Sequence, residues 1–483
     1  MKNQHLTAQN AYLHPCNKAH KYKLFPKRTA KKNDSFSVIL RRTAERLPQF
    51  LEEFSQVFRS QTHYRHHQVV GYVQGLFKSP KGRANCYFMG NTLGAFSGQN
   101  LHHMLTTSPW DYSRLMKAIL IRCIKLLRTQ KERIYILLDE VGYRKKGKHS
   151  ACVGHQYLGC IGKNDNGQVA VTAALSAGDF YCPVDIELFM PKDWDSNPER
   201  RERAGIPCSK KNESKVVMGL RMIKKLYKRL STDIECVVFD ALYGVNVDLL
   251  HQLMIKEIPF VGDVRENQSI YLSEPAFKVP RYSGRGRKFT KAHPDKKLIQ
   301  VQNYLKRLQK KDFTLLTVRN GTKGVLQARY HMRKVWVHHH PSKSFLALHL
   351  LIRKDADGRV KYSLGFFNEK FTMRRMAKAQ AQRVFVERIF EEGKNITGMG
   401  DYQTRSWAGF HRHAALSSLA LLFLLEQKII LKKTIGKITA YQIQDLVNAT
   451  VNTLCSIDQV IERLIEQIPR YQKEIQNQLK MVT

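Results

Sequence analysis

The chain has 483 residues, and its 81 Lys and Arg against 40 Asp and Glu leave a formal net charge of +41. A composition 43% hydrophobic and 10% aromatic excludes wholesale disorder, and the length suits about two to four domains. So basic a surface repels itself and asks for a polyanion, nucleic acid before an anionic membrane, which sets aside an ordinary acidic enzyme.

Nine cysteines stand singly, with no Cys-x-x-Cys pair, in apolar surroundings such as Ile234-Glu235-Cys236-Val237-Val238. They read as small hydrophobes in a reducing compartment, not as a disulfide framework or a structural zinc site. No apolar run follows Lys2, so the N-terminus does not read as a secretory signal. The longest apolar stretch, Ala414 to Leu425, is 12 residues, whereas a membrane span needs about 20. It reads as a buried helix. The expectation is a cytoplasmic protein, nucleoid-associated if prokaryotic, with no membrane partner.

In chain order, residues 1–36 read as a flexible basic arm, with eight Lys and Arg and no acid in the first 33. A solvated tail and a DNA contact both remain open for it. From Ser37 the spacing of Leu40, Leu47, Leu51, Phe54, Val57 and Phe58, then Val69, Val70, Val73 and Leu76, predicts helices. Ser79-Pro80-Lys81-Gly82 breaks the pattern, and Trp110 to Leu127 gives another helix. Residues 37–130 are expected to form a helical N-terminal domain that binds DNA.

The texture then changes. Ile134–Asp139 is a short apolar run ending in a carboxylate, the pattern of a buried strand. Strand-like segments at 151–161 and 169–177 flank Lys163-Asn164-Asp165-Asn166-Gly167, which predicts a hairpin turn. Helix is expected over 216–230, strand over 234–240, helix over 247–255 and strand over 260–264. Three strands followed by alternating helix and strand is the order of a ribonuclease H-like α/β fold, with its core divided between 131–270 and 371–430. Residues 278–311 hold 12 Lys and Arg against the single acid Asp295, and they lie in a basic linker and β-rich insertion over 271–370. Helix returns at 373–392, and 431–483 is expected to be a C-terminal helical region.

Asp139 and Asp240 each close an apolar strand, where burying a carboxylate is costly without a partner. Two converging carboxylates suit a divalent cation with hard oxygen ligands. Each could instead cap a loop or a helix. On the later helix, Arg383, Glu387 and Lys394 project at about 0°, 40° and 20°, so they share one face. A ligand carboxylate flanked by phosphate-binding cations and an ordinary ion-pair ladder both fit that spacing.

Several motifs occur together. They are Leu138-Asp139-Glu140-Val141-Gly142-Tyr143-Arg144-Lys145-Lys146-Gly147-Lys148, Tyr157–Lys163, Leu188–Trp194, Asp240-Ala241-Leu242-Tyr243-Gly244, Arg383-x3-Glu387-x6-Lys394 and Asp401–Trp407. This set resembles the insertion-sequence transposases of the DDE superfamily, in the group with a Tyr-Arg-Glu-Lys signature, over roughly residues 40–425. Two positions depart: Gln380 stands at the signature's Tyr, and Val141 at the Thr usual after the first acid. The resemblance implies Asp139, Asp240 and Glu387 as a catalytic, metal-binding triad, with Glu391 and Glu392 as rivals for the third place. It also implies Arg383 and Lys394 as DNA contacts. Two Mg²⁺ ions, or Mn²⁺ in their place, would serve cleavage and joining of DNA ends. The implied partners are double-stranded DNA, namely terminal inverted repeats and target, and a second copy of the chain in the synaptic complex.

Some residues keep two readings. Lys145, Lys146 and Lys148 follow the first acid as phosphate contacts or as a solvated turn. Trp336 stacks on a displaced base or fills a core between Val335 and Val337. His338, His339 and His340 read as an exposed polar turn before Pro341. A catalytically inactive DNA-binding descendant and a ribonuclease H-like endonuclease stand as alternatives to the transposase.

Overall fold

A computed structural model describes residues 36–451, with breaks at 60–63, 95, 282–283, 285–289, 322–323, 369–371, 435 and 437, and also residues 461 and 464. The basic arm up to residue 35 and most of the chain beyond 451 lie outside the described residues.

Five helices open the fold: α1 (Phe36–Glu52), α2 (His66–Lys78), α3 (Cys86–Leu93), α4 (Gly98–Thr106) and α5 (Tyr112–Arg128). Asn85, Ser97 and Asp111 cap the last three by accepting from Phe88, Asn100 and Ser113 amides. Helix α2 stops at Ser79, where Pro80 denies its predecessor a helical backbone.

Strand β1 (Ile134–Arg144) runs antiparallel to β3 (Lys163–Ala177), whose other edge pairs with β2 (Gly154–Leu158) and β4 (Phe180–Leu188). Short helices α6 (Lys192–Asp195) and α7 (Pro198–Arg203) lead to α8 (Lys215–Leu230). Strand β5 (Ile234–Phe239) lies parallel to β1, and α9 (Ala241–Gly244) and α10 (Val247–Ile255) carry the chain to β6 (Phe260–Val264), parallel to β5. Short strands β7 (Ser269–Ile270), β8 (Phe277–Lys278), β9 (His293–Pro294) and β10 (Ile299–Gln300) pair as β7 with β10 and β8 with β9. Helix α11 (Val301–Leu305) precedes an antiparallel meander, β11 (Thr314–Gly321), β12 (Gly324–His339), β13 (Ser344–Lys354) and β14 (Val360–Phe366). Helices α12 (Met373–Gln382), α13 (Val384–Ile396), α14 (Trp407–Thr434) and α15 (Ala440–Val451) complete the described chain.

The β-rich block does not form a separate sheet. Strand β14 pairs with β6, so one mixed sheet of ten strands runs β11-β12-β13-β14-β6-β5-β1-β3-β2, with β4 also on β3. Ile134–Leu138 and all six residues of β5 are buried, as parallel strands covered on both faces require. On one face α8 lays down Met218, Met222, Ile223, Leu226 and Leu230, a stripe at helical spacing. Its Gly219 lets the backbone approach, since a Cβ there would lie 2.6 Å from Leu138 Cδ2.

Helix α14 is long and apolar enough to cross a membrane, yet its most apolar stretch is 89% buried inside the molecule. Helices α1, α2, α4, α5 and α15 pack around it, and Phe423 meets Phe50 and Phe77 edge-on. The helical N-terminal portion thus shares a continuous apolar interior with α14 and α15.

Three local expectations are corrected. Strand β1 runs five residues past Asp139, because β3 is long enough to pair with it as far as Arg144. The turn falls at Gly159–Gly162, where Gly162 takes a φ of +66°, and Asn166-Gly167 lies within β3. Asn166 uses its amide to tie down Lys145 and Gly147 carbonyls at 2.6 and 3.0 Å, not to make a turn. His339 is part of β12 and buried, held by Asp248 at 2.8 Å and Ser342 at 2.5 Å, so only His340 of the three histidines is exposed.

Candidate active site

Strand alternation points Leu138 toward α8, while Asp139 meets Arg383, at the junction of α12 and α13. The parallel register sets Leu138 beside Phe239, so Asp139 and Asp240 sit next to each other where β5 ends. Asp240 caps α9, accepting from the Leu242 amide at 2.9 Å. With Glu140, these two acids form a cluster whose ligand oxygens all lie within 4.8 Å of one another.

Like charges crowded out of water resist ionisation. Burial pushes the Asp139 carboxyl up to about 7; Arg383 opposes this, while Asp240 and Glu140 add to it. Burial likewise raises Asp240, against the pull of Arg383, and raises Glu140, against the pull of Lys215. One Glu140 carboxylate oxygen, Oε1, is buried without a well-aligned hydrogen bond among the described residues, although the buried Tyr243 hydroxyl lies beside the carboxylate. Clustered hard oxygens and their mutual repulsion are what a divalent cation would relieve, so the donor set suits such an ion.

Arg383 is the hub of the patch. Its Nη1 lies 3.0 Å from Asp139 Oδ2, its Nε 3.2 Å from Asp263 Oδ2 and its Nη2 3.5 Å from Glu387 Oε1. Glu387, in the first turn of α13, is 59% exposed and faces Asp139 across this guanidinium. Glu391 is exposed on the next turn, whereas Glu392 is buried and committed to Tyr181 at 2.7 Å and Lys428 at 3.0 Å.

The predicted cations are dispersed. Lys394 donates to the Gly142 carbonyl at 3.1 Å, just beyond Asp139 on β1. Lys145 donates to the Tyr402 carbonyl at 3.0 Å and sits 3.4 Å from the centre of its ring, with burial lowering its pKa to about 8. It braces β1 against the segment after α13. Lys146 and Lys148 are exposed. Trp336 is half-buried on the opposite face of β12 from the buried Val335 and Val337, so it does not fill the core between them. It lies five strands from Asp139 along the sheet, roughly 24 Å away at about 4.8 Å per strand.

Sequence reasoning passed over two acids of this patch. Glu140 adjoins Asp139 and carried no separate signal. Asp263 did have one: Phe260-Val261-Gly262-Asp263 is a third apolar strand running into a carboxylate, like those that end in Asp139 and Asp240.

Residues 50–325 match a family model described as DDE superfamily endonuclease. Over 226 residues the chain is 30% identical to a protein described as a probable transposase for insertion sequence element IS701, from Microchaete diplosiphon. That alignment takes in 46% of this chain and 55% of the relative, so the chain spans about half the length of the protein it matches. The family match contains Asp139 and Asp240 and ends before Arg383 and Glu387. It covers more than half of the 483 residues, and the chain belongs to the DDE superfamily endonuclease family.

Proposed function

We propose that the protein is a DNA transposase that cuts at the ends of its element and joins them to target DNA. The observation that carries this is the pairing of Asp139 and Asp240 on neighbouring parallel strands, with their ligand oxygens clustered, in a chain of this family. The core is read as ribonuclease H-like. Strands β4-β3-β1-β5-β6, paired antiparallel, antiparallel, parallel and parallel, support that reading, with β11–β14 as an insertion that extends the same sheet.

Asp139 and Asp240 are assigned to hold divalent cations, Mg²⁺ or Mn²⁺, with Glu387 as the third acid. Two such ions would activate a water or 3′-hydroxyl and stabilise the leaving oxygen of a phosphodiester. Arg383 balances Asp139 and Glu387, and can turn its remaining hydrogen-bonding capacity to a phosphate. Lys394, bound to the Gly142 carbonyl three residues along β1 from Asp139, is assigned to an incoming DNA backbone. The helical portion over 37–130 is read as the DNA-binding part, and two copies of the chain as the unit that pairs two ends.

The test is an in vitro reaction with DNA carrying the sequences that flank the gene, in Mg²⁺. Wild type should excise and join. Asp139→Asn should lose cleavage by on the order of a thousandfold or more while still binding the same DNA. Cleavage surviving in Asp139→Asn would remove the assignment. Nicking without preference for ends would make the protein a nuclease, and binding alone would make it an inactive descendant.

A further inference from the structure

Asp263 belongs to the acidic patch but is not free to act as a ligand. Its Oδ1 accepts from Ser363 Oγ at 2.6 Å, and its Oδ2 faces Arg383 Nε at 3.2 Å. Ser363 is fully buried on β14, and its own oxygen accepts from Gln380 Nε2 at 2.7 Å. With a lone pair filled by Gln380, the single Ser363 proton is directed at Asp263. A chain that starts in the core and reaches the partly exposed patch, Gln380 to Ser363 to Asp263 to Arg383, therefore ends on Asp139 at 3.0 Å. It also accounts for Gln380, the position where the resemblance leads one to expect Tyr: a side-chain amide can donate to Ser363 across the α12–β14 contact.

The guanidinium is held from behind and presents its other nitrogens forward. Nε is fixed by Asp263, while Nη1 and Nη2 reach Asp139 and Glu387. A divalent cation on Asp139 repels a guanidinium 3.0 Å from the same carboxylate. If Arg383 had Asp139 and Glu387 alone, it would settle on them and compete with the ion. With Asp263 behind it, Arg383 can release Asp139 and keep a counter-ion.

We propose that Asp263 is a positioning residue that anchors Arg383 through Nε, so that the guanidinium neutralises Asp139 in the metal-free protein and yields to a divalent cation. This rests on the reading of Asp139 and Asp240 as metal-binding acids. Because Asp263 spends one oxygen on Ser363 and the other on Arg383, its effect on metal runs through Arg383, and that separates it from a ligand.

The experiment titrates Mn²⁺ alone into the full chain, without DNA, and reads binding by electron paramagnetic resonance and calorimetry. Asp139→Asn, the control, should abolish the site. Asp263→Asn should weaken Mn²⁺ by about tenfold, the lower end for partners that orient a metal site. Arg383→Gln should bind Mn²⁺ as tightly as wild type or more so, and Asp263→Asn added to it should change affinity by no more than about twofold. Ser363→Ala alters no charge; it should weaken Mn²⁺ by about threefold alone and have no effect once Arg383 is Gln. It carries the test if Asp263→Asn does not fold. Unchanged affinity in both Asp263→Asn and Ser363→Ala overturns the proposal. So does an Asp263→Asn loss that persists undiminished in Arg383→Gln, which would make Asp263 a ligand. Absence of any Asp139-dependent Mn²⁺ site in wild type removes the metal reading itself, and this proposal with it.

Discussion

His411 and His413 stand two residues apart on α14, and both are enclosed, at 3% and 0% exposure. His413 Nδ1 lies 2.7 Å from Tyr72 Oη, and His411 Nδ1 lies 2.9 Å from the Trp407 carbonyl. Burial pushes both imidazoles down to about 4. In the unfolded chain they titrate near 6.5, so between about 6.5 and 4 the unfolded state binds more protons than the folded one. Their contribution to stability is complete above about 6.5 and is lost as pH falls toward 4, by up to about 1.4 kcal/mol per pH unit for each histidine. Asp139, raised to about 7, acts in the opposite sense across much of this window, so the histidine effect is best read as a difference. Urea unfolding at pH 7.5 and pH 5 should show His413→Asn less stable than wild type at the higher pH, with a smaller loss on acidification. Equal losses in the two proteins would remove His413 from the account. At this scale Asp139 and Asp240 were legible, because each closes an apolar run in which a carboxylate has no reason to be buried alone. The sharing of Arg383 among Asp139, Asp263 and Glu387 was not, since these residues lie up to 248 positions apart in the sequence and meet only through sheet register.

Among the elements, runs with one dominant period were readable and the others were not. The apolar run of β5 and the helical stripe of α8 stand near their expected bounds, and β1 starts where its apolar run does but extends to Arg144. Strand β4 was missed although Val184, Ile186 and Leu188 alternate with Asp185 and Glu187 as a strand requires, because Pro183 within the run argues against a paired strand. The two acids are answered in space by Lys225 at 2.7 Å and by Lys210 and Arg221 at 2.7 and 2.9 Å. The β-rich block was recognised as strands, but its continuity with the core sheet depends on β14 pairing with β6, which no local pattern encodes. Glycines reveal where elements must touch. A Cβ on Gly244 would lie 1.9 Å from the Asp263 carbonyl oxygen, so α9 can rest on β6 only without one. Gly244→Ala should therefore push α9, and Asp240 at its start, away from β6 and cost about 1–3 kcal/mol in denaturant unfolding. It should also weaken Mn²⁺ binding. Gly147→Ala, where a Cβ would meet nothing within 4 Å, is the matched control and should change neither.

For the whole molecule, the charge of +41 is the most general property and the one least tied to any single contact. Some of it is consumed internally. Glu426, 3% exposed on α14, takes Arg122 of α5 at 2.5 Å and Arg46 of α1 at 3.5 Å, which binds the N-terminal helices to α14. Lys145 and Lys428 are likewise occupied by protein partners. Two stretches concentrate cations with few acids, eight in residues 1–33 and 12 in residues 278–311, where Asp295 pairs with Lys278 and Lys296. Phosphate binding of this kind releases counter-ions, so the logarithm of affinity for duplex DNA should fall linearly with the logarithm of salt concentration, by about 0.9 per phosphate neutralised. Deleting residues 1–33 should lower that slope by up to about 7, which is about 0.9 for each of the eight cations. The loss should be similar for specific and random duplexes, because phosphate contacts carry no base information. A slope unchanged by the deletion would make the arm a solvated tail and leave the 278–311 cluster and the cations beside the acids to carry the DNA.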